Sequence, residues 1–204
     1  MPAFDEGART RALEHHAALA KPAGSLGRLE ELAAFYAGAH GCFPPPAPER
    51  PTLALFAADH GVTAEGVSAF PSSVTAAVVA NIGAGGSAVN ALSRSLGLEL
   101  CLVDVGLQGK LPALFQQSAV RVHARPVSPG TQNLALGPAM TLEQAEKALL
   151  IGAETANELA DSGSRLLGVG EIGIGNTTSA AAIVAFCTGS KAETVVGPGA
   201  GLDA

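Results

Sequence analysis

Glu171, Asn176, Thr177 and Thr178 stand in the densest run of chemistry-bearing residues in this chain, GVGEIGIGNTTSAAA, residues 168–182. Gly168, Gly170 and Gly173 match GxGxxG between an expected strand and an expected helix, the setting of the dinucleotide fingerprint. Glu193 follows about twenty residues on, where a ribose-binding acid is expected. Glu171 lies inside that loop, however, and would repel a pyrophosphate. The second half, from Gly173 through Gly175 to Thr178, puts small residues and hydroxyls at a helix N-terminus. Bare N–H groups and the helix dipole there attract a single anion. One phosphate on residues 175–178, with the Glu171 carboxylate beside it, points to a mononucleotide. The bland reading is a Gly-rich turn followed by an Asn/Thr helix cap.

Ala57-Ala-Asp-His-Gly-Val62 places Asp59 and His60 at the end of an apolar run and before a glycine. The pair reads as acid/base or ribose contacts, or as an Asp turn with a hydrogen-bonded His. Gly83, Gly85 and Ala88 form a second GxGxx[GA] match that follows no strand and reads as helix packing or a turn. His15-His16 reads as a solvated helix face, and His40 and His123 as isolated histidines. No HxH, HExxH or acidic cluster marks a metal site, and no GxSxG elbow or Cys/His signature marks a nucleophile.

The elements expected to hold these residues alternate. Residues 9–39 are helical with a break at Pro22 and Gly24; Leu29, Leu32, Ala33 and Tyr36 share one helix face, and Ser25 is a candidate cap. PPPAPERP, residues 44–51, cannot be regular structure. Strands are expected at 53–58, 98–105, 120–123 and 165–169. Helices are expected at 74–92 (interrupted by glycines), at 141–159 behind a Thr141 cap, and at 177–186 as a buried helix. In the 141–159 helix, Ala145, Leu149, Gly152 and Ala156 share one side. Strands alternating with helices mean an α/β domain around a mostly parallel sheet. Its ligands bind at the C-terminal strand ends, so Asp59-His60, Asp104 and Glu171 share a rim. The expected organisation is a helical segment at residues 1–43, a linker at 44–51 and an α/β nucleotide-binding domain at 52–204.

Composition narrows the function. The 204 residues are 48% hydrophobic and 15% charged, the balance of a folded domain rather than a disordered chain. Only 4% are aromatic, with no Trp, so the core is aliphatic. A net charge of -6 argues against a nucleic-acid module, which carries a basic face. Cys42, Cys101 and Cys187 form no CxxC pair and read as reduced thiols of a cytoplasmic protein. The acidic N-terminus is no signal peptide, and no run reaches the ~18 apolar residues of a membrane helix.

Seven segments in order resemble the nicotinate-nucleotide–dimethylbenzimidazole phosphoribosyltransferases of cobalamin assembly. They are KPAGSLGRLEELA (21–33), AADHGVTAEGVSAFPSSVT (57–75), GGSAVNALSR (85–94), VDVGL (103–107), GTQNLALGPAMT (130–141), GVGEIGIGNTTSAAAIV (168–184) and VVGPGAGL (195–202). The resemblance implies a Rossmann-like fold with a small helical N-terminal subdomain, a homodimer, and no metal or organic cofactor. It implies transfer of phosphoribose from nicotinate mononucleotide to 5,6-dimethylbenzimidazole, yielding α-ribazole 5′-phosphate and nicotinate. It further implies that Gly173, Gly175, Asn176, Thr177 and Thr178 hold the nucleotide, with Glu171 at the reacting ribose. Gly197, Gly199 and Gly201 would complete the phosphate site, and Asp59 and His60 would line the base pocket.

Two departures qualify the resemblance. Family members are longer, and their principal base, a C-terminal glutamate, would lie beyond Ala204, as would a phosphate-binding lysine. Without that part, apolar surface is expected to stand uncovered. Where members carry Ser and Gln against the aromatic base, this chain has Phe70 and Val78. Two other functions stay open: a non-catalytic nucleotide-binding relative, and a dinucleotide-dependent oxidoreductase using residues 168–173.

Overall fold

The computed structural model describes residues 3–111, 115 and 118–199. The chain divides into two compact units, Met1–Pro48 and Glu49–Ala204, with the division inside the Pro-rich stretch.

In the first unit, α1 (Glu6–Ala18) starts at Asp5, whose side chain accepts from the Ala8 N–H at 2.9 Å. The second helix, α2 (Arg28–His40), is capped by Gly27 and not by Ser25. Glu30 reaches back to the Leu26 N–H at 3.2 Å and pairs with Lys21 at 2.7 Å. The two helices meet through Ala8, Ala12, Ala34, Ala37 and Gly38, all buried. A Cβ on Gly38 would stand 2.3 Å from the Phe4 ring, so close packing selects small residues here. This corrects the expected face. Leu29 and Leu32 are more than half exposed and Ala33 is exposed, while Tyr36 is half-buried and donates to the Pro46 carbonyl.

The second unit is an α/β domain built on a four-stranded parallel sheet. Its strands are β1 (Thr52–Ala58), β2 (Glu99–Gly106), β3 (Arg121–Ala124) and β4 (Leu167–Ile172), in the order β3-β2-β1-β4. Alternation of side chains supplies two core layers. Leu55, Ala57, Leu100 and Leu102 face Val79 and Ile82 of α3 (Val74–Gly83). Ala54, Cys101 and Val103 face Ile151 and Leu159 of α5 (Leu142–Asp161). Burial pushes the Cys101 thiol above its ordinary range.

Between α3 and α4 (Ala88–Leu96), residues 84–87 turn the chain, with Gly85 at φ 78° and a Ser87/Asn90 capping box. The second glycine motif is therefore a helix connection. Taken as one stretch, residues 74–96 are long and apolar enough to cross a membrane. The turn leaves helices of 10 and 9 residues, short of the ~20 a span requires.

Thr141 and Gln144 form the capping box of α5. Its buried stripe is Ile151, Thr155 and Leu159, whereas Leu149 is 77% exposed, so the inward side lies beside the expected one. Arg125, just past β3, binds Glu154 at 3.2 Å and also Glu158, tying this helix to the strand end. Arg125 holds the Glu158 carboxyl below its usual range. His123 lies 3.4 Å from Glu158, so it is not isolated.

From α5 the chain crosses back to the far side of β1, and β4 pairs there with β1 alone among the described strands. One face of this strand is exposed, Val169 on it to 79%. The helix that follows, α6 (Asn176–Thr188), buries only Ala181, leaving Phe186 90% exposed. This corrects the expected buried helix, because only the short α7 (Ala192–Val195) packs extensively against it among the described residues.

Candidate functional site

The strand order reverses at β1, with β2 and β3 on one side and β4 on the other. In an open parallel sheet that reversal leaves a crevice at the C-terminal strand ends, where ligands bind. His60 leaves β1 at this edge, and Glu171 lies in β4 beside Phe56 of β1. The imidazole Nε2 is 3.3 Å from Glu171 Oε1, and its Nδ1 is 3.1 Å from Ser179 Oγ on the first turns of α6. Asn176 donates its side-chain N–H to Glu171 Oε2. Both carboxylate oxygens thus have donors facing them, although the Glu171 side chain stays 39% exposed.

Gly173 makes this contact sterically feasible. A Cβ there would lie 2.3 Å from the Ala58 carbonyl oxygen and 2.8 Å from both Glu171 Oε1 and His60 Cδ2. Gly175 is the left-handed cap of α6 at φ 86°, a conformation that a side chain rarely tolerates. The amides of the turn are only partly bare. Ile174 N donates to Thr75 Oγ1 at 3.0 Å, Asn176 N to the Gly173 carbonyl, and Thr178 N to the Gly175 carbonyl. Among the described residues, the N–H groups of Gly175 and Thr177 have no partner. Two unpaired N–H groups thus stand at a helix N-terminus, the setting that attracts an anion.

The GxGxxG reading fails on geometry. Gly168 and Gly170 lie within β4, not in a loop after it, and Cβ atoms on them would meet Leu53 Cδ1 at 3.0 Å and Leu55 Cδ2 at 2.8 Å. These glycines make room for β1 side chains. Glu193 sits exposed on α7. No strand-to-helix glycine turn remains at 168–170 to cradle a pyrophosphate.

A family model described as phosphoribosyltransferase matches residues 1–204. The chain belongs to this phosphoribosyltransferase family. It is 47% identical over 98% of its length to the nicotinate-nucleotide–dimethylbenzimidazole phosphoribosyltransferase of Chromobacterium violaceum, covering 56% of that protein. The protein of the same name from Salinispora tropica is 41% identical over 98% of this chain and 57% of its own. The crystal structure of CobT from Thermus thermophilus superposes with a TM-score of 0.86 at 43% identity, covering 97% of this chain and 57% of that one. The chain spans about half the length of the curated relatives it matches.

Within this family member the remaining candidates are arranged as follows. The Asp59 carboxylate is buried and accepts from the Gln108 N–H at 2.9 Å, while its backbone bonds Gly106 and Thr131. It ties the end of β1 to neighbouring loops. Asp104, also buried, accepts from the Gly106 and Leu107 N–H groups; burial, with the Asp59 charge nearby, lifts its carboxyl above the usual range. Phe70, on the loop before α3, is 46% exposed, and Val78 is 37% exposed one turn beyond Thr75. Gly199 approaches α6: a Cβ on it would stand 3.4 Å from Thr177 Oγ1. Gly197 is exposed on the same loop, and Gly201 lies outside the described residues.

Sequence reasoning about the site residues missed Thr75, Thr131 and Ser179. Thr131 Oγ1 accepts from the Gly61 N–H at 3.2 Å, bracing the turn after His60. Ser179 was findable, since it lies three residues after Asn176, on the same helix face. Thr75 and Thr131 carry no local signal, because their partners are 99 and 70 residues away.

Proposed function

We propose that this chain takes part in phosphoribosyl transfer from nicotinate mononucleotide to 5,6-dimethylbenzimidazole or a related flat base, within cobalamin assembly. The observation carrying the reading is the pair of unpaired N–H groups at Gly175 and Thr177, flanking the Asn176 that binds Glu171, on a chain of this family. The donor phosphate sits on those N–H groups and the Thr177 and Thr178 hydroxyls, with Gly197, Gly199 and Gly201 closing around it. Glu171 then lies beside the ribose. Binding energy from the phosphate, remote from the reaction, holds the anomeric carbon for attack.

The chemistry asks little of the protein. The C1–N bond breaks with its electrons going to the pyridinium nitrogen, so nicotinate leaves as a neutral ring without an acid. One acceptor nitrogen bonds C1 while the other releases its proton to a carboxylate. Negative charge at Glu171 stabilises the positive charge building at C1. We further propose that the protein works in the cytoplasm as a homodimer, as the family resemblance implies.

Incubating the chain with both substrates and separating the products tests this reading. Nicotinate and the ribazole phosphate should appear together. Nucleotide binding without release supports a non-catalytic relative, and preference for NAD over the mononucleotide overturns the reading.

Phe70 and Val78 border the base pocket and lack hydrogen-bonding side chains, so the pocket is expected to accept other flat bases, including purines and unsubstituted benzimidazole. The double variant Phe70→Ser, Val78→Gln should narrow this range toward dimethylbenzimidazole by about tenfold in relative kcat/KM, one added hydrogen bond's worth. Identical acceptor preference in both proteins counts against a role for these positions.

A further inference from the structure

The contacts around His60 form a directed chain. Glu171 is acceptor-only when ionised, so the imidazole nitrogen facing it, Nε2 at 3.3 Å, must carry a proton to bond it. In a neutral ring Nδ1 is then an acceptor, and the Ser179 hydroxyl 3.1 Å away is the donor. Asn176 holds the other carboxylate oxygen. Ser179 and Asn176 come from one face of α6, His60 from the end of β1 and Glu171 from β4, so three elements converge on one carboxylate. The imidazole is well buried, with its side chain 12% exposed, and Gly173 leaves it the space to reach Glu171.

We propose that His60 is a positioning residue whose ring is oriented and held in the Nε2–H form by Ser179, and that it aims the Glu171 carboxylate into the crevice. Ser179 donates to Nδ1, Nε2–H donates to Oε1, and Asn176 donates to Oε2. Without the relay the half-exposed Glu171 side chain samples other rotamers, and its charge is no longer fixed beside the reacting carbon. The relay is a matter of geometry; its consequence for turnover rests on the phosphoribosyl-transfer reading.

Ring-nitrogen NMR of protein labelled with 15N-histidine tests it, recorded in mildly alkaline buffer where free imidazoles are neutral. His60→Gln identifies the His60 signals among the five histidines. The wild type should show a protonated Nε2 and a hydrogen-bonded, unprotonated Nδ1. Ser179→Ala should move the Nδ1 signal toward that of an unbonded ring nitrogen. A proton on Nδ1 in the wild type, or an Nδ1 signal unmoved by Ser179→Ala, overturns the relay. In nicotinate release, His60→Leu should lower kcat about tenfold with KM for the mononucleotide unchanged, and His60→Gln, whose amide can donate to the same oxygen, should recover most of the loss. Equal losses in the two variants overturn the positioning role. A wild-type chain that fails to bind the mononucleotide overturns the phosphoribosyl reading instead, and the ring-nitrogen result still decides the relay.

Discussion

Glu171→Gln is expected to lower nicotinate release by a factor on the order of 100, the usual consequence of removing one preorganised electrostatic group from a reacting centre. Affinity for nicotinate mononucleotide should change far less. The substitution keeps the shape and one acceptor oxygen for the His60 Nε2–H, so the ribose side of the crevice stays filled. What disappears is the negative charge, which matters most when positive charge builds at C1. An interaction made chiefly in the transition state shows itself in kcat, not in ground-state binding. Single-turnover release alongside a calorimetric Kd separates the two. Matching losses in both measurements would make Glu171 a binding residue and nothing more.

Gly173→Ala should be the most damaging single-methyl change in the crevice. Its Cβ would arrive 2.3 Å from the Ala58 carbonyl oxygen, which is backbone at the end of a paired strand and has no rotamer to escape into. Glu171 and His60, 2.8 Å away, can retreat only by breaking their own contact. Overpacking of this kind costs about 1–3 kcal/mol, or roughly 3–10 °C of melting temperature at this chain length. The His60 ring-nitrogen signals should shift as well. Gly152→Ala is the internal comparison: it lies within α5 with nothing inside 4 Å of the added Cβ, so it should gain up to about 1 kcal/mol. Thermal unfolding that ranks Gly173→Ala level with Gly152→Ala would show that the close approach at Gly173 does not exist.

The alternation of strands and helices was legible because it rests on local signals. Thr141 and Gln144 marked the start of α5 by their own reciprocal hydrogen bonds, and β1 and β2 announced themselves as short aliphatic runs. Faces were harder to read. Leu29 and Leu32 have the helical spacing of a core stripe, yet the buried side of α2 is Ala34, Ala37 and Gly38. The hydrophobic pattern records which side chains favour burial; close helix approach selects for small ones. In the same way the apolar composition of α6 read as a buried helix, although Ile183 and Phe186 face outward among the described residues.

By itself the sequence determined the α/β class, the resemblance to a phosphoribosyltransferase family, and the presence of a carboxylate near a glycine turn at a helix start. These follow from residue types at short spacings, where the chain's own stiffness dictates geometry. Only the tertiary structure decided what the glycines at 168, 170 and 173 are for, since each is explained by an atom of β1 or the turn after it, more than a hundred residues earlier. It alone brought His60 and Ser179 together across 119 positions and turned Asp59 toward the backbone. Contacts at such separations depend on strand order and register, which are set by burial of the whole sheet and leave no mark in any local stretch of sequence.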